Sequence, residues 1–118
     1  MIEEGLRGLL DGYAVEQLDP ATDLVTTPFL DKDGNRIRIF VRRRGSQYYL
    51  FNEKDKIFNR EKMGRFLPHT VKEELRDVLR RFDVYHIEGE ISTEATAENL
   101  PARIRNLTQA LIVLDAMF

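Results

Sequence analysis

The fold is decided by residues 27–51, which read TPFLDKDGNRIRIFVRRRGSQYYLF. Two runs in which apolar and polar residues alternate flank Asp33-Gly34, a dipeptide that tolerates positive φ at a tight turn. Arg44-Gly45-Ser46 is the next turn signal, and Gln47 to Phe51 then supplies the aromatic residues that pleated strands favour. The stretch predicts a three-stranded antiparallel meander.

The middle run of this meander predicts which face of the sheet is buried. Side chains alternate between the two sides of a strand, so Ile37, Ile39 and Val41 share one side. We expect this isoleucine side to face the core and the opposite side to face outward. The opposite side carries Arg36, Arg38, Phe40 and Arg42.

Two helices are predicted by apolar residues at three- and four-residue steps. Such steps from Ile2 to Tyr13 predict an amphipathic helix at the start of the chain. Thr70 followed by Glu73 has the spacing of a capping box, and the apolar stripe after it continues to about Phe82. The segment 20–27, ahead of the meander, is expected to be a connection or a short first strand.

A further strand and a last helix complete the predicted fold. The residues from Tyr85 to Ile91 alternate and predict a fourth strand. Asn99 is expected to cap the last helix, because Pro101 is tolerated in a first turn but not further in. The prediction is one α+β domain over residues 1–118, with an antiparallel sheet of about four strands, a three-stranded meander plus one later strand. Helices pack on the sheet, and the predicted order is α-β-β-β-α-β-α.

The last helix carries one continuous apolar seam. Its apolar residues recur at alternating four- and three-residue steps, which keeps one side of a helix facing a partner. From Ala110 onward the apolar character spreads beyond that seam, so most sides of the helix need a cover. The helix is either a central core helix or a contact with a second chain, and both interpretations stay open. The residues assigned to this dimer or core role are Leu107, Leu111, Leu114 and Phe118.

Composition excludes several classes of protein. With 42% hydrophobic and 32% charged residues, the chain can both fill a core and solvate its surface. It has no cysteine, which excludes disulfides, thiolate metal sites and a cysteine nucleophile. Its start is acidic where an export signal is basic, and no apolar run approaches the roughly 20 residues that span a membrane. We expect a cytoplasmic protein that contacts no membrane.

Charge is distributed unevenly along the chain. Residues 36–65 contain ten Lys or Arg and three acidic residues, a net charge of +7, while the rest of the chain carries −9. One interpretation is that arginines at a sheet edge prevent the hairpin from pairing with other molecules. The other interpretation is that they form a docking surface.

The basic hairpin is the strongest candidate for a binding site. Guanidinium groups beside aromatic rings can grip phosphates and stack on bases, and the same groups can hold an acidic protein. The net charge of −2 counts against nucleic acid, because the long-range field opposes its approach. A protein partner is therefore favoured, and nucleic acid is the alternative. The predicted partner-binding residues are Arg36, Arg38, Arg42, Arg43, Arg44, Tyr48 and Tyr49.

Few residues point to catalysis or to a metal. His69 and His86 have no carboxylate at the spacing of a metal site. Glu88 and Glu90 lie two apart on the predicted fourth strand and could share a divalent ion, as nuclease carboxylates do, but a nuclease site also needs a converging lysine or further acid, which this stretch is not expected to supply. A metal-dependent nuclease is a minor alternative. We expect a protein that is not an enzyme and needs no metal or cofactor.

The meander also carries a family resemblance. Thr27-Pro28-Phe29-Leu30, Asp33-Gly34 and Tyr48-Tyr49-Leu50 resemble the opening of the domain of unknown function numbered 1828, which occurs in bacteria and their phages. The similarity extends to Leu100-Pro101 and covers most of the chain. Members usually follow the tyrosine strand with a short Asp-Gly turn, whereas residues 52–56 here read NEKDK, so a family site at that turn would be altered. The resemblance implies the fold but no assigned activity.

A weaker likeness, at the level of topology, is to the chaperones of type III secretion systems. These are small acidic α/β proteins that dimerise and hold an extended partner chain. The likeness concerns architecture alone and transfers no residue, but it favours a homodimer through the last helix. Together with the occurrence of the family in phages, it predicts a phage- or prophage-associated accessory factor that binds a host or partner protein through the basic β-hairpin.

Overall fold

The computed structural model describes residues 12–53 and 68–117. In it, the predicted meander is part of a six-stranded antiparallel sheet. The spatial order of the strands is β1-β2-β3-β4-β6-β5. The strands are β1 (Ala14–Asp19), β2 (Thr22–Leu30), β3 (Arg36–Arg44), β4 (Gln47–Phe51), β5 (Tyr85–Ile87) and β6 (Glu90–Thr96), and the helices are α1 (His69–Arg81) and α2 (Leu100–Met117).

The meander of β2, β3 and β4 is confirmed, and its two turns use the predicted glycines. In the β2–β3 loop, Asp31 Oδ1 accepts hydrogen bonds from the backbone N–H groups of Asp33 and Asn35, each at 2.9 Å. Gly34 has φ +83° in this loop, and Gly45 has φ +61° between β3 and β4. A positive φ at the first of two central residues is what a type II′ hairpin turn requires, so glycine suits position 45.

Of the two alternatives for residues 20–27, the connection is wrong and the strand is confirmed, because residues 22–27 belong to β2, which forms a hairpin with β1. Asp19 Oδ1 accepts a hydrogen bond from the Ala21 N–H at 2.8 Å and closes the turn. This backbone hydrogen bond lowers the pKa of the Asp19 carboxyl. The side chains of β1 are exposed except for the half-buried Val15, so this edge strand lacks the apolar alternation that reveals strands in sequence.

The single strand expected from Tyr85 to Ile91 is also wrong, because β5 and β6 form a hairpin there. Glu88 and Gly89 make its turn with φ values of +48° and +86°. Positive φ at both central residues defines a type I′ turn, and a glutamate there gives no sequence signal for it. The described elements therefore follow the order β-β-β-β-α-β-β-α. The helix predicted for the start of the chain lies outside the described residues.

Both described helices lie where the sequence places them, but the capping box is wrong. Pro68 is the N-cap residue of α1 and makes no side-chain cap. The carboxylate of Glu73 instead lies 3.0 Å from His69 Nε2. At the start of α2, the carbonyl of Asn99 accepts the first helical hydrogen bond, from the Arg103 N–H at 2.9 Å, which is the role of an N-cap residue.

The core lies between α2 and one face of the sheet, which we call the inner face. Ile37, Ile39 and Val41 are buried on it, as predicted. Leu107, Leu111 and Leu114 of α2 are packed into the same core of a single chain, while Phe118 lies outside the described residues. Burying one such side chain contributes about 1.5–3 kcal/mol, so this contact dominates the stability of the described fold.

Candidate binding face

The side of the sheet opposite α2, which we call the outer face, brings aromatic and charged residues together. Strand pairing sets their positions, because Phe40 pairs with Phe51, and Arg42 pairs with Tyr49. On the other side of β4, Tyr49 pairs with Glu94. Side chains of directly paired residues lie on the same face of a sheet. The outer face is defined here by Phe40, Arg42, Arg44, Tyr49, Phe51, Glu90 and Glu94.

Three rings on the outer face form one stack. The ring centroids of Phe40 and Phe51 are 5.2 Å apart, with an interplanar angle of 13°. Those of Tyr49 and Phe51 are also 5.2 Å apart, at 27°. All three side chains are half-buried, so part of the stack is accessible. Aromatic pairs at such distances contribute about 0.5–1.5 kcal/mol beyond the area that they bury.

Two arginines of β3 lie against this stack. The guanidinium carbon of Arg42 is 5.1 Å from the centroid of Phe51, and that of Arg44 is 4.6 Å from the centroid of Tyr49. Arg42 Nε also donates a hydrogen bond to Thr22 Oγ1 at 3.3 Å. Both arginines are exposed, so the cations rest on the rings and still face solvent.

The far side of the stack is acidic. The hydroxyl of Tyr49 donates a hydrogen bond to the carboxylate of Glu90 on β6. Burial raises the pKa of Tyr49, and the hydrogen bond to Glu90 raises it further. Glu94, the strand partner of Tyr49, is exposed. The outer face therefore runs from basic on β3, across the rings of β4, to acidic on β6.

Among the described contacts, none of the other predicted arginines lies over a ring of this stack. Arg36 is eight residues from Arg44 along β3, a separation of roughly 26 Å at about 3.3 Å per residue. Arg38 is paired with the carboxylate of Glu53. The structure therefore does not gather the basic hairpin into one patch, and of the predicted arginines it places Arg42 and Arg44 on the stack.

Arg43 and Tyr48 occupy the inner face. They pair with each other across β3 and β4, one position along from the outer-face residues. The guanidinium carbon of Arg43 is 6.0 Å from the centroid of the Tyr48 ring. Tyr48 is half-buried and packs against the core. These two residues cannot share a contact surface with Arg42 and Arg44, because the sheet lies between them.

A small cavity of about 40 Å³ lies near the first residues of β3. One of its lining residues is Asn52. The side-chain Oδ1 of Asn52 accepts a hydrogen bond from the Ile91 N–H at 2.8 Å, and the backbone N–H of Asn52 donates one to the Ile91 carbonyl at 3.1 Å. Asn52 therefore extends the pairing of β4 with β6. Its Nδ2 is buried and has no hydrogen-bond partner among the described residues. The other lining residues include Asp31, Arg36, Ile37, Arg38, Glu53, Leu111 and Asp115.

The geometric basis for a nuclease site is wrong. Glu88 lies in the turn between β5 and β6, so it does not share a strand face with Glu90. Within the part of the chain that the structure describes, no three His, Asp or Glu side chains group as metal ligands would. His86 Nε2 accepts a hydrogen bond from the Gly89 N–H at 3.2 Å, and burial lowers the pKa of His86.

Sequence reasoning left four outer-face residues out of the predicted binding site, namely Phe40, Phe51, Glu90 and Glu94. A signal for two of them was present. Counting back from the two-residue turn at Gly45-Ser46 pairs position 44 with 47, and therefore 40 with 51. Glu94 follows a hairpin turn that the sequence did not reveal, so its pairing had no comparable signal.

Fold and face together define an α+β protein with one sheet face packed against a helix and an opposite face that carries stacked aromatic rings and charged residues. Residues 27–113, about three quarters of the chain, match the family described as Domain of unknown function DUF1828. The chain belongs to this family, as the residues of the meander indicated. No curated protein and no solved structure matches the chain. Within the residues described, neither helix is long and apolar enough to cross a membrane.

Proposed function

We propose that this chain is a non-catalytic binding protein and that the outer face is its contact surface for another protein. The observation that carries the proposal is the stack of Phe40, Phe51 and Tyr49 with Arg42 and Arg44 against its rings. Aromatic residues and arginine are the types most enriched in protein interfaces and in their energetic centres.

The packing of these side chains supports the proposal. The rings are held against one another, so little conformational freedom remains to be lost when a partner binds. The arginines are exposed, and the structure assigns neither Arg42 nor Arg44 an ion pair within the described residues. A surface of this kind is ordered before contact and offers both apolar area and charge.

Charge reversal on the two sides of β3 tests the proposal. The double variant Arg42→Glu/Arg44→Glu alters the outer face, and Arg43→Glu is a matched control on the inner face of the same strand. Tagged protein is used to capture partners from host extract, with circular dichroism to confirm folding. We expect the outer-face variant to lose captured partners that the wild type and Arg43→Glu both retain. Equal capture by all three proteins would contradict the proposal.

A nucleic-acid-binding module is the second candidate, and the guanidinium of Arg44 at 4.6 Å from the Tyr49 ring is the observation that favours it. Bases can stack on exposed rings, and guanidinium groups can neutralise phosphates. The acidic residues on β6 oppose it, because they would face the same phosphate chain. Titration with single-stranded DNA and RNA at two salt concentrations separates the candidates. Tight binding that falls steeply with salt supports this module, and no binding at low salt removes it.

The accessory role predicted from sequence is consistent with a face of this kind. A small binding protein that acts on a host system needs only one ordered contact surface, and the outer face supplies it. The association with phages or prophages stays a prediction.

A further inference from the structure

The outer face carries its two signs of charge on opposite sides of the ring stack. Arg42 and Arg44 lie on β3, whereas Glu90 and Glu94 lie on β6, with β4 between them. Neighbouring strands are about 4.8 Å apart, so the basic and acidic rows are separated by roughly 10 Å. A protein that covers this face has to present the two charges in the opposite order.

We propose that the protein which fits the outer face is a second copy of this chain, and this inference rests on the proposed binding role of that face. A two-fold axis that runs along β4, between two facing copies, exchanges the β3 side with the β6 side. Each copy then places its basic row over the acidic row of the other. The contact occurs twice in one dimer, as an isologous interface requires.

The strand register makes this match specific. Arg42 and Glu94 both pair with Tyr49, so they lie at the same level along the sheet. Rotation about an axis along β4 preserves that level, which puts Arg42 of each copy opposite Glu94 of the other. The Arg44 guanidinium lies over Tyr49 and so comes within reach of the same carboxylate. The ring stack, with the arginines that rest on it, lies at the centre of this contact, where aromatic anchors contribute most.

Other occupants match the outer face less well. A nucleic acid would bring its phosphates against Glu90 and Glu94, and a uniformly acidic protein surface would meet the same repulsion. A dimer through the seam of α2 would need Leu107, Leu111 and Leu114, which are already buried in the core of one chain. The second copy satisfies both rows of charge at once.

Exchange of charges between the rows tests the inference. Arg44→Glu places a carboxylate within reach of Glu94 of the other copy, and Glu94→Arg places a guanidinium opposite Arg42, so each variant alone places like charges across the interface. Both positions are exposed, so folding is preserved. The matched controls are Arg76→Glu and Glu74→Arg, which are exposed on α1, a helix that packs against α2. Sedimentation equilibrium over a concentration series gives the mass and the dimer dissociation constant of each protein.

We expect wild-type protein and both controls to dimerise, and each charge variant to dimerise at least about a hundredfold more weakly, because like charges across an interface cost several kcal/mol. Mixing Arg44→Glu with Glu94→Arg should restore a dimer that contains one chain of each. The double variant Arg44→Glu/Glu94→Arg should dimerise with itself, which also shows that both substitutions leave the chain folded.

Three results would overturn the inference: a wild type that stays monomeric throughout the series, charge variants that dimerise as the controls do, and a mixture that restores no dimer. The capture experiment keeps this failure separate from failure of the proposed function. If wild type is monomeric but Arg42→Glu/Arg44→Glu still loses a captured protein, the outer face binds an unlike partner. If capture is also insensitive to that variant, the proposed function fails as well.

Discussion

The two faces of the sheet are built from different residue types although they belong to the same strands. On the inner face, Ile39, Val41 and Leu50 are fully buried against α2. On the outer face, the neighbouring positions Phe40 and Tyr49 are half-buried and stacked, and Arg42 is exposed. The difference teaches that alternate positions of one strand can fill the core on one face and stay accessible on the other, so substitutions on the two faces should separate experimentally.

The largest expected effect comes from a cavity on the inner face. Leu107→Ala should lower the free energy of unfolding by about 2–5 kcal/mol, because the leucine is fully buried between α2 and the sheet. Its outer-face counterpart, Arg44→Ala, should change that free energy by less than about 0.5 kcal/mol. Urea denaturation of both variants measures the two values. Similar losses for the two substitutions would contradict the division between the faces.

A smaller loss is expected where β4 ends. Asn52→Ala removes the acceptor for the Ile91 N–H and leaves that donor buried, which should cost about 1–3 kcal/mol. The control is Glu53→Ala, which removes the ion pair with Arg38 near the surface and should cost less than about 1 kcal/mol. Chemical denaturation gives both numbers. A neutral Asn52→Ala would show that the side chain does not support the pairing of β4 with β6.

The turn between β5 and β6 offers a small gain. Glu88 has φ +48°, a conformation that costs most residues roughly 1–2 kcal/mol and that asparagine tolerates better. Glu88→Asn should therefore raise the free energy of unfolding by about 0.5 kcal/mol. Glu94→Asn, in the regular part of β6, should give no such gain. Thermal unfolding of both variants measures the difference. Equal melting temperatures for the two variants would show that the backbone at Glu88 is not strained.

The smallest expected effect is a dependence of stability on pH near His86. Burial holds the pKa of His86 below its ordinary value of 6.5, so the unfolded chain takes up this proton more readily than the folded chain does. Stability should be unaffected above pH 6.5 and should fall as the pH drops below it, through the lowered pKa of the folded state. Urea titrations of wild type and His86→Gln across this range measure the difference. If the free energy of unfolding changed with pH equally in both proteins, His86 would not be the source of the dependence.

Sequence reasoning succeeded where the signal is local. The alternation around Ile39 and the glycines at positions 34 and 45 specify the meander, because turn and pleat depend on a few adjacent residues. It missed β1, whose side chains are mostly exposed, and the turn at Glu88, whose left-handed conformation follows from strand pairing and not from residue preference.

The site was predicted in part for a related reason. The arginines are visible in the sequence, but the face on which each lies depends on the register of the whole sheet. Neighbours along the chain such as Arg42 and Arg43 therefore diverge to opposite faces. The acidic row on β6 is more than forty residues away from β3 in the sequence, so only the fold brings it beside the rings.

A concentration series of amide spectra from ¹⁵N-labelled protein tests the division of the two faces most directly. If the outer face is the contact surface between two copies of the chain, amide shifts should change with concentration along β3, β4 and β6, near Arg44, Tyr49 and Glu94, and should stay constant along α1 and α2. Changes centred on the exposed side of α2, around Ile112, with none near Tyr49, would contradict the account.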